Sequence, residues 1–296
     1  MTAVFKLKSK RKPSNLAATS GDGAPPKSSP AGEMGFLDHL EELRWRIFKA
    51  LGALVVSSAV CLFFTDWVIE VLLIGPTQPD FFMYDLFKME ATELDLQNRT
   101  ITGQFFAWVG SVLAVGFLLA TPVMLYQVWA FIEPGLYDHE KRGLRYVSFF
   151  ATFFFVLGAA FGYLILTPLA LQFFANFQIS DQIVNEFDIT KYFSMVLMWT
   201  FGAGALFELP VVVYFLAKLG IVNPERLRAA RKYALVVILV VAALFTPPDP
   251  MSQIIMAIPL LGLYEGSIWI AGLVERQRLR EEAKRRRQEA SGTDSP

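Results

Sequence analysis

Two carboxylates sit where charge meets apolar chain, and each could bind a guanidinium group. Glu42 lies in FLDHLEELRWRIF, residues 36–48, with Arg46 four positions on. Glu140 lies in YDHEKR, residues 137–142, shortly after the aromatic stretch YQVWAFI that contains Phe131. A carboxylate accepts two parallel bonds from an arginine, and aromatic walls favour its flat cation. The bland alternatives are an amphipathic anchor at Glu42, where acid and arginine pair at i,i+4 spacing, and a solvated charge at Glu140 beside Lys141. Nothing in the spacing places the two acids side by side.

A third acid is buried in apolar sequence. Glu208, in FELP at 207–210, lies about ten residues from Lys218 and thus about 15 Å into a spanning helix. A carboxylate at that depth costs about 2.5–3.5 kcal/mol. Thr246 and Asp249 in TPPD, with Gln253 just beyond, add polar atoms toward the opposite surface. Interhelical hydrogen bonding that fixes register accounts for such groups. So does a functional role, either in docking a partner helix or as the carrier carboxylate of a proton-coupled small-molecule transporter using Glu208.

Other chemistries lack their residues. Cys61 is the single cysteine and His39 and His139 are the two histidines, which leaves no metal-ligand spacing. No phosphate-binding glycine loop, nucleophile elbow or zinc-protease motif occurs. The reading is of a non-enzyme without cofactor or metal, and without a nucleic-acid partner.

These acids must be positioned by membrane helices. Of 296 residues 54% are hydrophobic, 27 are phenylalanine, and mean hydropathy is +0.43. Apolar runs recur near 47–65, 104–126, 146–167, 193–217, 233–247 and 251–272, of which the last two are short against the roughly 20 residues a spanning helix needs. The prolines at 247, 248 and 250 separate those two, which predicts a tight hairpin. Lys and Arg crowd into 1–46, 127–145, 218–232 and 273–296, whereas the other three connections hold only Lys88, Arg99 and Lys191. By the positive-inside rule the crowded segments are cytoplasmic, so both termini face inward. The expected fold is an all-α integral membrane protein of six transmembrane helices, a bundle curved by Pro122, Pro168 and Pro210. Residues 1–33 read as a disordered cytoplasmic tail, 34–274 as the six-span transmembrane domain, and 275–296 as a charged cytoplasmic C-terminal tail. The acidic outer connection at 75–103 is expected to be solvated; the alternative is a cap with Phe81, Phe82, Met83, Tyr84 and Phe87 underneath.

The strings at 39–46, 122–131, 137–142, 207–210 and 246–253 together resemble the TatC family, the receptor subunit of the twin-arginine protein translocase, in order over about residues 36–272. The resemblance implies recognition of twin-arginine signal peptides at the cytoplasmic face and assembly of a translocation site for folded proteins, driven by the proton-motive force. It implies that Glu42 and Glu140, with Leu40, Arg44 and Phe131, bind the signal peptide. Glu208, Thr246, Asp249 and Gln253 would meet single-span partner subunits of the TatA/TatB type, and Pro76, Pro122 and Pro210 would be structural. It implies a multi-pass protein of the bacterial cytoplasmic (inner) membrane, a homo-oligomer within a hetero-oligomeric complex in the lipid bilayer.

Overall fold

The structure, a computed structural model, describes residues 36–88, 94–132, 144–180, 182–248 and 250–292. Glu140, Asp249 and the 1–33 tail lie outside the described residues. In chain order the helices are α1 (Phe36–Leu62), α2 (Thr65–Trp67), α3 (Phe82–Phe87), α4 (Gly103–Ile132), α5 (Leu144–Phe161), α6 (Thr167–Asn176), α7 (Ile189–Phe207), α8 (Leu209–Lys218), α9 (Pro224–Ala229), α10 (Arg231–Phe245) and α11 (Pro250–Gly292). Two two-residue strands, β1 (Leu96–Gln97) and β2 (Phe187–Asp188), pair in parallel with Leu96 opposite Phe187.

The chain is an all-α multi-pass membrane protein. Five helical stretches among the described residues are long and apolar enough to cross a bilayer: His39–Leu62, Gly103–Ile132, Tyr146–Asn176, Ile189–Lys218 and Pro250–Gln288. The expected fifth apolar run is α10, which has 15 residues and reaches about 23 Å, less than the roughly 30 Å of hydrocarbon. The sixth apolar run opens α11. Helix α11 is 43 residues long and carries its register through Val274 into the charged segment, because ERQRLREEAKRRR holds good helix formers and neither glycine nor proline.

In lipid, close packing rather than apolar burial holds helices together, so small residues mark the contacts. Gly158 and Gly162 face α7 so closely that an added Cβ would lie 2.5 Å from the Ala203 carbonyl and 2.2 Å from that of Trp199. Helix α1 rests on α4, where the Ser57 hydroxyl donates to the Gly116 carbonyl at 2.6 Å. The largest buried cluster joins α6, α7, α10 and α11 through Ala170, Trp199, Ala203, Phe207, Ala242 and Met256.

The outer connections form a packed cap, which corrects the expectation of a solvated acidic loop. Met83 and Tyr84 are buried, and Phe81 meets the Tyr163 ring edge-on at 6.2 Å. Phe82 and Phe87 are exposed, so three of the five candidate residues form the underside. Apolar side chains drive this packing, while Asp80, Asp85 and Asp95 stay exposed. The cap is tied by three phenols. A π-helical turn, Val68–Leu73, leads into a 3-10 turn, Gly75–Thr77, that contains Pro76. Proline has no N–H to offer the carbonyl four residues back, which is that of Leu72. Tyr163 donates its hydroxyl to that carbonyl, Tyr192 donates to the Leu73 carbonyl, and Tyr84 donates to the Pro76 carbonyl at 2.6 Å. The helix thus ends at the Pro76 turn, and tyrosines from three other elements donate to the carbonyls around it.

At the same surface Asp188 caps α7, accepting from the backbone N–H of Thr190 at 3.0 Å and of Lys191 at 3.1 Å. The Thr190 hydroxyl, helped by these backbone donors and that of Arg99, holds the Asp188 carboxyl below its usual range.

Candidate functional site

Helix α1 puts His39, Glu42 and Arg46 on one face, since residues three and four apart are neighbours on a helix. Arg46 donates through Nε to Oε1 of Glu42 at 2.9 Å, and a second donor, Nη2, reaches the same oxygen. The other carboxylate oxygen, Oε2, is shut off from solvent and accepts no hydrogen bond among the described residues. A buried acceptor without a donor costs about 1–3 kcal/mol, more for a charged group. Glu42 is thus fixed through one oxygen, and the other has no partner among the described residues.

The other expected residues of this end divide. Arg44 points elsewhere: its guanidinium carbon stands 5.7 Å from the centre of the exposed Phe48 ring. Leu40 is exposed. Phe131, one residue before the end of α4, stacks on His39 with ring centres 4.3 Å apart and planes 19° from parallel. The amino end of α1 and the carboxyl end of α4 therefore meet through an aromatic pair. Spacing alone gives His39 no ring partner; it shows only that His39, three residues before Glu42, shares a helix face with it.

Glu208 lies at the junction of α7 and α8, where Pro210 at the second position of α8 interrupts the ladder. The proline ring clashes with a carbonyl four residues back, so the helix restarts. The Glu208 carbonyl then accepts from Val211 and Val212, both at 3.0 Å. Pro210 is fully buried. Oε1 of Glu208 is buried and has no partner among the described residues.

Thr246 and Gln253 each hold a partner within the α10–α11 hairpin. The Thr246 hydroxyl donates to the Ala242 carbonyl at 2.9 Å, one turn back in α10. Gln253 Nε2 donates to the Leu239 carbonyl at 3.1 Å, which ties α11 to α10 across the hairpin. Pro122 sits inside α4 without ending it. Among the described residues no group of three or more His, Cys, Asp or Glu side chains could hold a metal.

A cavity of about 350 Å³ opens between α4, α5 and α7, with Ser111, Tyr163, Val196 and Thr200 in its wall. The Thr200 hydroxyl is buried there and has no partner among the described residues. Glu208 does not line it.

Comparison with known proteins places this geometry. The family model of the Sec-independent protein translocase protein (TatC) matches residues 38–259. The chain is 37% identical over 246 residues to the Sec-independent protein translocase protein TatC of Aquifex aeolicus, covering 83% of this chain and 98% of that one. It is also 37% identical over 236 residues to the TatC of Helicobacter pylori strain 26695, covering 80% and 87%. A crystal structure of the twin arginine translocase receptor TatC superposes with a TM-score of 0.62 at 36% identity, over 80% of this chain and 99% of that one. These relatives are protein translocase subunits, and the small-molecule transporter reading finds no support among them. On sequence and on fold alike, the chain belongs to the TatC family of Sec-independent protein translocase proteins.

Proposed function

We propose that this chain is the receptor subunit of a twin-arginine translocase, binding the paired arginines of a signal peptide at the cytoplasmic mouth of α1. The observation that carries the reading is Glu42, oriented by Arg46 through Oε1 and left with a buried Oε2 that has no partner among the described residues. An arginine N–H satisfies that oxygen with a charge-assisted bond, the stronger kind. Glu140, in the 133–143 connection, would supply the second carboxylate.

The proposal takes α10 as a sixth span, shortened against a locally thinned bilayer. Both basic termini are then cytoplasmic, and the membrane is the bacterial cytoplasmic one. Glu208, whose Oε1 is buried without a donor, would accept from a polar group on a single-span partner helix, since lipid offers none. Asp249 would be a further contact for that partner at the outer hairpin. The working unit is an oligomer of this chain with such partners. No residue here does covalent chemistry, and the driving force is the proton gradient.

Site-specific photocrosslinking of a twin-arginine precursor to membranes containing this chain tests the reading. Glu42→Ala and Glu140→Ala should each abolish the crosslink while the protein still accumulates. Undiminished crosslinking in both would overturn it.

A further inference from the structure

We infer that His39, stacked on Phe131, is a specificity residue that selects arginine over lysine in the bound signal; this rests on the receptor reading above. The rings are 4.3 Å apart and near parallel, and each stays half-exposed. They form a flat aromatic surface at the end of the bundle where Glu42 Oε2 is buried with no partner among the described residues. His39 and Glu42 are three residues apart on α1, so the ring edge and the carboxylate lie on one helix face.

Glu42 by itself discriminates poorly, because any cation is drawn to a carboxylate. Lysine, a compact and strongly hydrated ammonium, satisfies Oε2 as a point charge. A guanidinium does that and also lays its weakly hydrated plane on an aromatic ring. An acid that supplies affinity beside a stacked pair that supplies shape is an arrangement that reads the planar cation. The stack also fixes α1 to the end of α4, so the platform is held from two elements rather than by one mobile side chain.

The test compares binding of two signal peptides, one with the arginine pair and one with two lysines, to the detergent-solubilised full-length protein. His39→Ala should weaken arginine-pair binding roughly two- to fivefold, the range of a partly exposed cation–π contact, and leave lysine-pair binding unchanged. The preference for arginine falls by the same factor. His39→Phe keeps a ring on Phe131 and should restore the preference, which guards against a variant that merely disturbs α1. An equal loss for both peptides in His39→Ala, or an unchanged preference, would overturn the inference. Glu42→Ala separates the two claims. If it abolishes binding of both peptides while His39→Ala leaves the preference intact, the specificity role fails and the receptor reading stands. If Glu42→Ala leaves both affinities intact, the receptor reading itself fails.

Discussion

Arg46 engages Glu42 through a single carboxylate oxygen, Oε1, with Nε at 2.9 Å, and Oε2 is buried with no donor among the described residues. The two oxygens of one side chain thus differ, one held and one without a described partner. Arg46 should act as a positioning residue. Arg46→Ala frees the carboxylate to rotate into water and should weaken binding of an arginine-pair signal about tenfold or more, on the scale of a charge-assisted bond. Arg46→Lys should recover part of that loss. Titrating signal peptide against the purified variants checks this, and wild-type affinity in Arg46→Ala would refute it.

The three phenols over the Pro76 turn give a coupled prediction. Tyr163→Phe removes the donor to the Leu72 carbonyl and should cost about 1–3 kcal/mol, the penalty of a buried acceptor left bare. Pro76→Ala supplies an N–H four residues from Leu72 and so offers that carbonyl a second donor. The double variant should therefore lose less than the sum of the single losses. Unfolding in detergent by denaturant measures all four corners of the cycle. Strict additivity would show that tyrosine and proline act independently.

Close helix approach predicts which glycines tolerate a side chain. Gly162→Val forces atoms into the Trp199 carbonyl, 2.2 Å from the position of Cβ, and should destabilise by about 1–3 kcal/mol or block accumulation. Gly266→Ala meets nothing within 4 Å and should leave accumulation unchanged. Immunoblotting of membranes with a thermal-shift measurement distinguishes the pair.

Acid should loosen the outer cap at Asp188. Its carboxyl titrates below the ordinary aspartate range because the Thr190 hydroxyl and backbone donors favour the charged form. A depressed value contributes stability above the unfolded value of about 3.9, and that contribution is lost as pH falls through the folded value. Hydrogen exchange at the Thr190 and Lys191 amides should therefore be flat from neutral to about pH 5, after correction for intrinsic rates, and less protected below about pH 4. Asp188→Asn should remove the acid-dependent change. A response centred near neutrality would refute the assignment.

Glu208 separates recognition from later steps. Glu208→Ala should spare crosslinking to a precursor and reduce transport or co-purification of single-span partners, whereas Glu208→Gln, which can still accept, should retain part of both. Lost precursor binding with intact partner assembly would contradict this division.

Much of the architecture was legible because hydrocarbon imposes a one-dimensional rule: apolar length, flanking charge and proline set where helices run. The helix at Phe36–Leu62, the break at Pro210 and the 15-residue α10 all follow from local sequence. Glu42 was legible as well, since the i,i+4 spacing alone pairs it with Arg46. The sequence by itself thus determined the class of fold, the acids that charge or depth makes costly, and the family. Tertiary structure decided what each polar atom meets. Only packing of α4 on α1 brings Phe131 to His39, 92 positions apart, and only the cap brings Tyr163 and Tyr192 to carbonyls near Pro76. It likewise gave Gln253 a hydrogen bond that ties α11 to α10. The physical reason is that spacing reports neighbours within one helix, whereas a hydrogen bond or ring stack between helices depends on crossing angle and depth, which no single stretch of sequence contains.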